Sequence, residues 1–108
     1  MIIYFPLIFY GDFQGITIFP FIFIRYKHLK RNKILINHER IHLRQQLEMF
    51  WIFFFVFYIA EYIHNLIKYK NAHIAYSEIS FEKEAYVNEL NLDYLKKRKF
   101  WAFIKYIK

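Results

Sequence analysis

Asn37-His38-Glu39-Arg40-Ile41-His42 is the stretch on which the fold of this chain turns. Two histidines four residues apart on an α-helix project from one face, so both imidazoles can reach a single metal ion while the intervening Glu39 is left free to handle a proton. Asn37 reads as the N-cap of that helix, and Ile34-Leu35-Ile36 before it as a brief strand. After His38 the chain contains no Gly or Pro, which predicts one long helix over residues 38–69. Arg40, Arg44 and Glu48 share its polar face, and Ile41, Leu47 and Phe50 begin an apolar one. His-Glu-x-x-His is the hydrolytic-zinc pattern, yet chance can supply so short a motif. A catalytic zinc takes three protein ligands and keeps one position for water, so a third ligand must come from elsewhere.

The chain has no cysteine, which excludes a disulfide framework and thiolate metal sites and leaves His and carboxylate as the strong zinc ligands. Downstream stands Ser80-Phe81-Glu82-Lys83-Glu84-Ala85-Tyr86. Ser80 is a candidate N-cap for a helix over residues 81–90, whose first turn holds Glu82 and Glu84, where negative charge suits the helix dipole. Glu82 follows His42 by 40 residues, far enough for the chain to return antiparallel against the motif helix. On residue type and position alone, Glu82 and Glu84 are both candidates.

His-Glu-x-x-His followed by a helix bearing Glu-x-x-Ala resembles the gluzincin metallopeptidases, especially the membrane-associated prenyl-protein endopeptidase and beta-lactam sensor-transducer groups and the small soluble minigluzincins. The resemblance covers the layout of roughly residues 22–90: an edge strand, a motif helix and a ligand helix. It implies a Zn2+ ion held by His38, His42 and Glu82, with Glu84 the alternative ligand. It further implies Glu39 as general base, Ala85 as the small residue that lets the two helices approach, and a peptide substrate added to a sheet edge above the metal. Several of these families follow the Ala with Asp or Asn, which supports a metal-bound His. Tyr86 stands there instead, and a phenol can also hydrogen-bond an imidazole.

The rest of the chain bears on where such a site would work. Hydrophobic residues make up 57% of the 108 and aromatics 24%, more rings than so small a core can bury, while the formal charge is +7 and the pI near 9.6. Basic and aromatic together suit an anionic membrane surface. Residues 1–24 carry a single charge, Asp12, but lack a basic leader and a small-residue cleavage site and are broken by Pro6, Gly11-Asp12-Phe13-Gln14-Gly15 and Pro20. Residues 2–10 and 16–26, rich in Ile, Phe and Tyr, read as two strands joined by that turn, with Pro20 at an edge or bulge. Residues 27–33 form a basic connection containing His28. Residues 49–60 are apolar on all sides, and with residues 47–67 they predict a helix inserted in, or lying on, a membrane, or else one buried by the rest of the domain or by a second copy. His64 falls on the polar side of that helix and His73 in a surface turn. Asp93 can cap a final basic amphipathic helix running to the C-terminus, with Leu95, Phe100, Phe103, Ile104 and Ile107 against Lys96, Lys97, Arg98, Lys99 and Lys105.

The expected fold is α+β, mainly α: a single zincin-like domain over residues 1–108, with a short N-terminal β-hairpin or small sheet, a long motif helix, a ligand-bearing helix and a C-terminal basic helix. The expected function is a membrane-associated zinc metallopeptidase, integral or interfacial, that cleaves peptide bonds with a zinc-activated water and Glu39 as base. The alternative is a non-catalytic membrane- or partner-binding module with a structural or vestigial zinc site, which the small size favours. Nucleic-acid binding is disfavoured, since no helix-turn-helix, zinc-knuckle or ribonucleoprotein signature is visible.

Overall fold

The computed structural model describes residues 2–9 and 13–107. It is α+β and mainly α, as the sequence predicts: a three-stranded sheet at the N-terminus followed by helices. The strands are β1 (Ile2–Tyr4), β2 (Gly15–Ile18) and β3 (Phe21–Ile24), in the order β1-β3-β2. β1 runs parallel to β3, and β2 runs antiparallel to it with Thr17 opposite Ile22. The two-strand hairpin expected from residues 2–10 and 16–26 is therefore corrected. Residues 16–26 fold on themselves at Phe19-Pro20, and the hairpin is β2-β3. Gly11 and Asp12 of the expected turn lie outside the described residues.

Among the described residues five α-helices follow: α1 (Lys33–Glu48), α2 (Ile52–Tyr69), α3 (Ala72–Ser77), α4 (Ser80–Asn88) and α5 (Tyr94–Lys97). The first helix starts earlier than expected. Asn32, not Asn37, is its N-cap, its side chain accepting from the Leu35 amide at 3.0 Å, so Ile34-Leu35-Ile36 is helix rather than strand. Ile36 packs with Ile24 of β3 and Leu29 in a small core between sheet and helix, which fixes the entry of α1 beneath the sheet. Asn37 is buried within α1 and caps a different helix. Its Nδ2 donates to the carbonyls of Glu89 at 2.8 Å and Asn91 at 3.0 Å, satisfying acceptors left open beyond the end of α4.

The long helix expected over residues 38–69 is two helices bent by 112°. α1 ends in a Schellman motif: the Trp51 amide donates to the Gln46 carbonyl at 2.6 Å and the Phe50 amide to that of Leu47 at 3.4 Å. Phe50, with φ 51°, occupies the left-handed position that glycine usually takes, and Trp51 after it also has positive φ, 43°, each at a cost of about 1 kcal/mol. Burial offsets that cost. The bend carries Met49 and Phe54 into the main core with Ile79, Phe81 and Phe103, which a straight helix would leave apart. No single helix among the described residues is long and apolar enough to cross a membrane. The outward face of α2 nevertheless exposes Ile52, Val56, Ile59, Ile63 and Ile67, at helical spacing.

The C-terminal helix is also shorter than expected. α5 ends at Lys97, and a 3-10 turn over Ala102–Tyr106 takes its place. Arg98 between them has extended backbone and turns its guanidinium inward, onto Glu48 of α1 and Glu84 of α4. The expected basic amphipathic helix is therefore interrupted at Arg98, the residue that pairs internally.

Candidate metal centre

α1 and α4 lie against one another, and Ala85 of α4 is fully buried. His38 and His42 project from α1 one turn apart, and Glu82 meets them from the first turn of α4. The His42 Nε2 atom is 3.2 Å from His38 Nε2 and 3.1 Å from Glu82 Oε1, and His38 Nε2 is 3.3 Å from the same oxygen. All three side chains are buried. Three donors at the corners of a tetrahedron of about 2.0 Å radius would stand about 3.3 Å apart, so this triangle could hold a divalent metal ion.

Each candidate ligand has its own support. Glu82 Oε2 accepts from the Tyr58 hydroxyl at 2.6 Å, which leaves Oε1 for the imidazoles. His42 Nδ1 faces Gln45 Oε1 at 2.8 Å. His38 packs its ring edge-on against Tyr86, centroids 4.5 Å apart, while its Nδ1 lies 3.4 Å from Glu89 Oε1 without hydrogen-bond alignment. The Tyr86 hydroxyl pairs with Tyr76 at 3.2 Å, so Tyr86 supports His38 by packing and not through its oxygen. Phe54 covers His42 from the far side at 6.2 Å.

Burial would lower the His42 pKa, but the Glu82 and Glu39 carboxylates and the Glu82 and Gln45 bonds outweigh it and raise the pKa to about 9. For Glu82 burial acts upward, and the two imidazoles override it, holding the carboxyl well below the usual range. Glu39 moves the other way. Burial pushes its pKa up, against the His42 and His38 charges and the Thr17 hydrogen bond.

Glu39 points between α1 and the sheet. Its Oε1 accepts from the Thr17 hydroxyl at 2.6 Å, and Gly15 of the same strand sits so close that a Cβ there would meet Glu39 Oε2 at 3.0 Å. Gln46 ties β2 to α1, donating to the Thr17 carbonyl and accepting from the Phe19 amide, each at 2.6 Å. A cavity of about 210 Å³ opens here. Glu39, His38, His42, Glu82, Gly15 to Thr17 of β2 and the rings of Phe54, Phe55 and Tyr58 line it.

The residues singled out in the sequence, His38, Glu39, His42 and Glu82, thus come together. Glu84 does not join them: it points to the other side of α4, where Arg98, Tyr94 and Gln45 donate to it. His28, His64 and His73 are exposed. Sequence reasoning missed Gly15, Thr17, Gln45 and Tyr58. Gln45 had a usable signal, being three residues after His42 on the same helical face. Tyr58 lay inside the apolar run, and Gly15 and Thr17 are remote in sequence from everything they touch. No known protein family, curated protein or solved structure matches this chain.

Proposed function

We propose that the protein is a compact gluzincin-type zinc metallopeptidase that works at a membrane surface. One observation carries the catalytic part: Glu39 and the His38/His42/Glu82 triangle line the same cavity, opposite the edge strand β2. Two imidazoles, one carboxylate and no thiolate are a donor set suited to zinc. When bound, the ion supplies Lewis acidity that brings the pKa of a water toward neutrality.

The chain's own residues supply the rest. Glu39, its pKa raised by burial, takes a proton from the attacking water and returns it to the leaving amine. Thr17 holds that carboxylate by one oxygen, leaving Oε2 for the proton. The bond from the Arg25 amide to the Gln14 carbonyl sets the pairing of β2 with β3, and its alternation turns the backbone groups of Gly15 and the Thr17 amide toward the outer edge, where the Thr17 carbonyl is already taken by Gln46. An extended peptide adding there would have its scissile bond brought to Glu39 by main-chain register.

The test is zinc analysis together with digestion of an unstructured peptide library. Wild-type protein should bind one zinc and cleave, and Glu39→Gln should keep the metal and lose at least about a thousandfold in rate. Full activity in Glu39→Gln would overturn the catalytic role. Stoichiometric zinc without any cleavage by wild type would favour the non-catalytic module.

The membrane part rests on the uncovered apolar face of α2. Leu47, Phe50, Phe100 and Trp101 extend the apolar surface around a second groove, and exposed Lys68, Lys70, Lys99 and Lys105 occur in the same segments. A helix lying in the interface suits this surface, the bend at Phe50 having divided the apolar run. Sedimentation with phosphatidylserine vesicles should capture the protein, and replacing Val56, Ile59 and Ile63 by Ser should weaken capture at least about tenfold. Equal capture of both proteins would exclude α2 as the lipid face.

A further inference from the structure

His42 is held through a chain of hydrogen bonds that begins in the C-terminal segment. Gln45 is fully buried and makes three contacts: Nε2 donates to the Phe81 carbonyl at 3.1 Å and to Glu84 Oε1 at 2.9 Å, and Oε1 faces His42 Nδ1 at 2.8 Å. A carboxamide can be turned either way in a structure, and its partners decide which way is right. Here they decide it. The Phe81 carbonyl can only accept. Glu84 is surrounded by donors, taking the Tyr94 hydroxyl at 2.6 Å, Arg98 Nη2 at 3.1 Å and Arg98 Nε. The NH2 group of Gln45 must therefore face α4, and its oxygen must face His42. An oxygen there requires a proton on Nδ1, so that in the neutral, metal-binding form of the ring the Nε2 lone pair is aimed at His38 and Glu82.

We propose that Gln45 is a positioning residue for the metal centre, selecting the Nδ1–H form of His42 and fixing its ring, and that Glu84, anchored by Arg98, acts on the metal through Gln45. The proposal rests on the reading of His38, His42 and Glu82 as metal ligands. It gives the second carboxylate of Phe81-Glu82-Lys83-Glu84 a role distinct from ligation. It also assigns the C-terminal segment, by way of Arg98, a part in shaping a site that no atom of that segment touches. Glu48 completes the anchor, accepting from both terminal nitrogens of Arg98 across a fully buried ion pair.

The test is a double-mutant cycle read as zinc affinity by chelator competition, on full-length variants whose folding is checked by thermal unfolding. Gln45→Met keeps the side-chain length and removes all three hydrogen bonds, and should weaken zinc binding by about 10- to 100-fold. Glu84→Gln lets the Gln45 amide turn over and should weaken binding less. In the Gln45→Met background Glu84→Gln should then change nothing further, whereas two independent packing defects would add. In wild-type protein loaded with zinc, the His42 Nδ1 proton should exchange slowly with solvent in nitrogen-15 spectra. That measurement decides the matter if Gln45→Met does not fold. Equal affinity of wild type and folded Gln45→Met, additive effects in the cycle, or rapid exchange of that proton would each overturn the role of Gln45 and leave the metal site standing. Failure of wild type to take up zinc would instead overturn the metal site itself.

Discussion

Thr17, on the edge strand, donates its hydroxyl to Glu39 Oε1 at 2.6 Å and lies 3.1 Å from the Glu39 carbonyl, so one residue of the sheet fixes the catalytic candidate of the helix. The bond favours the ionised carboxylate, opposing the burial that raises its pKa. Thr17→Val keeps the shape and deletes the donor, so the Glu39 pKa should rise further. The acidic limb of the kcat/KM profile should then move to higher pH, with a loss of about tenfold below neutrality. An unmoved limb would separate Thr17 from the chemistry.

Gly15 tests the same contact by crowding. An added Cβ would fall 3.0 to 3.1 Å from three atoms of the Glu39 side chain, which must then swing away from β2. Gly15→Ala should therefore cut peptide cleavage at least about tenfold while zinc content stays at one per chain, since no ligand touches Gly15. Loss of zinc in this variant, seen by metal analysis, would contradict that separation.

Tyr58 holds Glu82, the candidate third ligand, from α2. Its hydroxyl donates to Glu82 Oε2 at 2.6 Å, and burial beside that carboxylate raises the phenol pKa well above its usual value, so it stays a donor. Tyr58→Phe should weaken zinc binding about 10- to 100-fold with little change in thermal stability of the metal-free protein. Chelator competition and calorimetry on the same samples check both parts.

Stability and metal affinity should respond to pH in opposite senses. In the metal-free protein the His42 pKa is raised from 6.5 to about 9, so the folded form holds the proton more tightly than the unfolded one. Its contribution is complete below about pH 6.5 and is lost as pH rises toward about 9, so Tm should fall across that window. Glu82 is depressed from 4.5, so its contribution is present above about pH 4.5 and is lost as pH falls below it. Zinc needs the His42 lone pair, and so its apparent affinity should climb with pH, by up to about tenfold per unit, and level off near pH 9. Affinity flat from pH 6.5 to 9 would remove His42 from the ligand set.

Arg98 is the keystone of a buried ion-pair cluster. Its side chain has no exposed surface, and those of Glu48 and Glu84 have 2% and 0%. Arg98→Met would leave two carboxylates buried without a cation, at a cost of about 3–5 kcal/mol in chemical denaturation. Adding Glu48→Gln to Arg98→Met should recover part of that loss, because one buried charge is then removed. No recovery would mean that Arg98 acts through packing alone.

Much of the site was legible along the chain because its information is local. The i, i+4 spacing places His38 and His42 on one face of any helix, and the residue between them is free of the metal wherever that helix lies. Fold class was legible for a similar reason, since β-rich segments with the only Gly and Pro precede a stretch that has neither. The Glu-x-x-Ala resemblance favoured Glu82 over Glu84 by spacing; in the fold Ala85 is fully buried and α1 lies against α4.

What only the tertiary structure decided concerns groups whose partners are distant in the chain. Asn37 reads as a cap for its own helix by local rule, yet its amide caps α4, some fifty residues on, because the real N-cap is Asn32. An apolar run without Gly or Pro reads as continuous helix, yet it bends at Phe50, since burying Met49 and Phe54 outweighs the positive φ of Phe50 and Trp51. Arg98 stands in a basic run that reads as a solvated face, and buried Glu48 and Glu84 draw it inward. The sequence by itself determined which side chains could bind a metal. Packing decided that Glu82 reaches both imidazoles, that Glu39 meets the edge strand and that Gln45 holds His42, because a hydrogen bond depends on distance in space and carries no mark of separation along the chain.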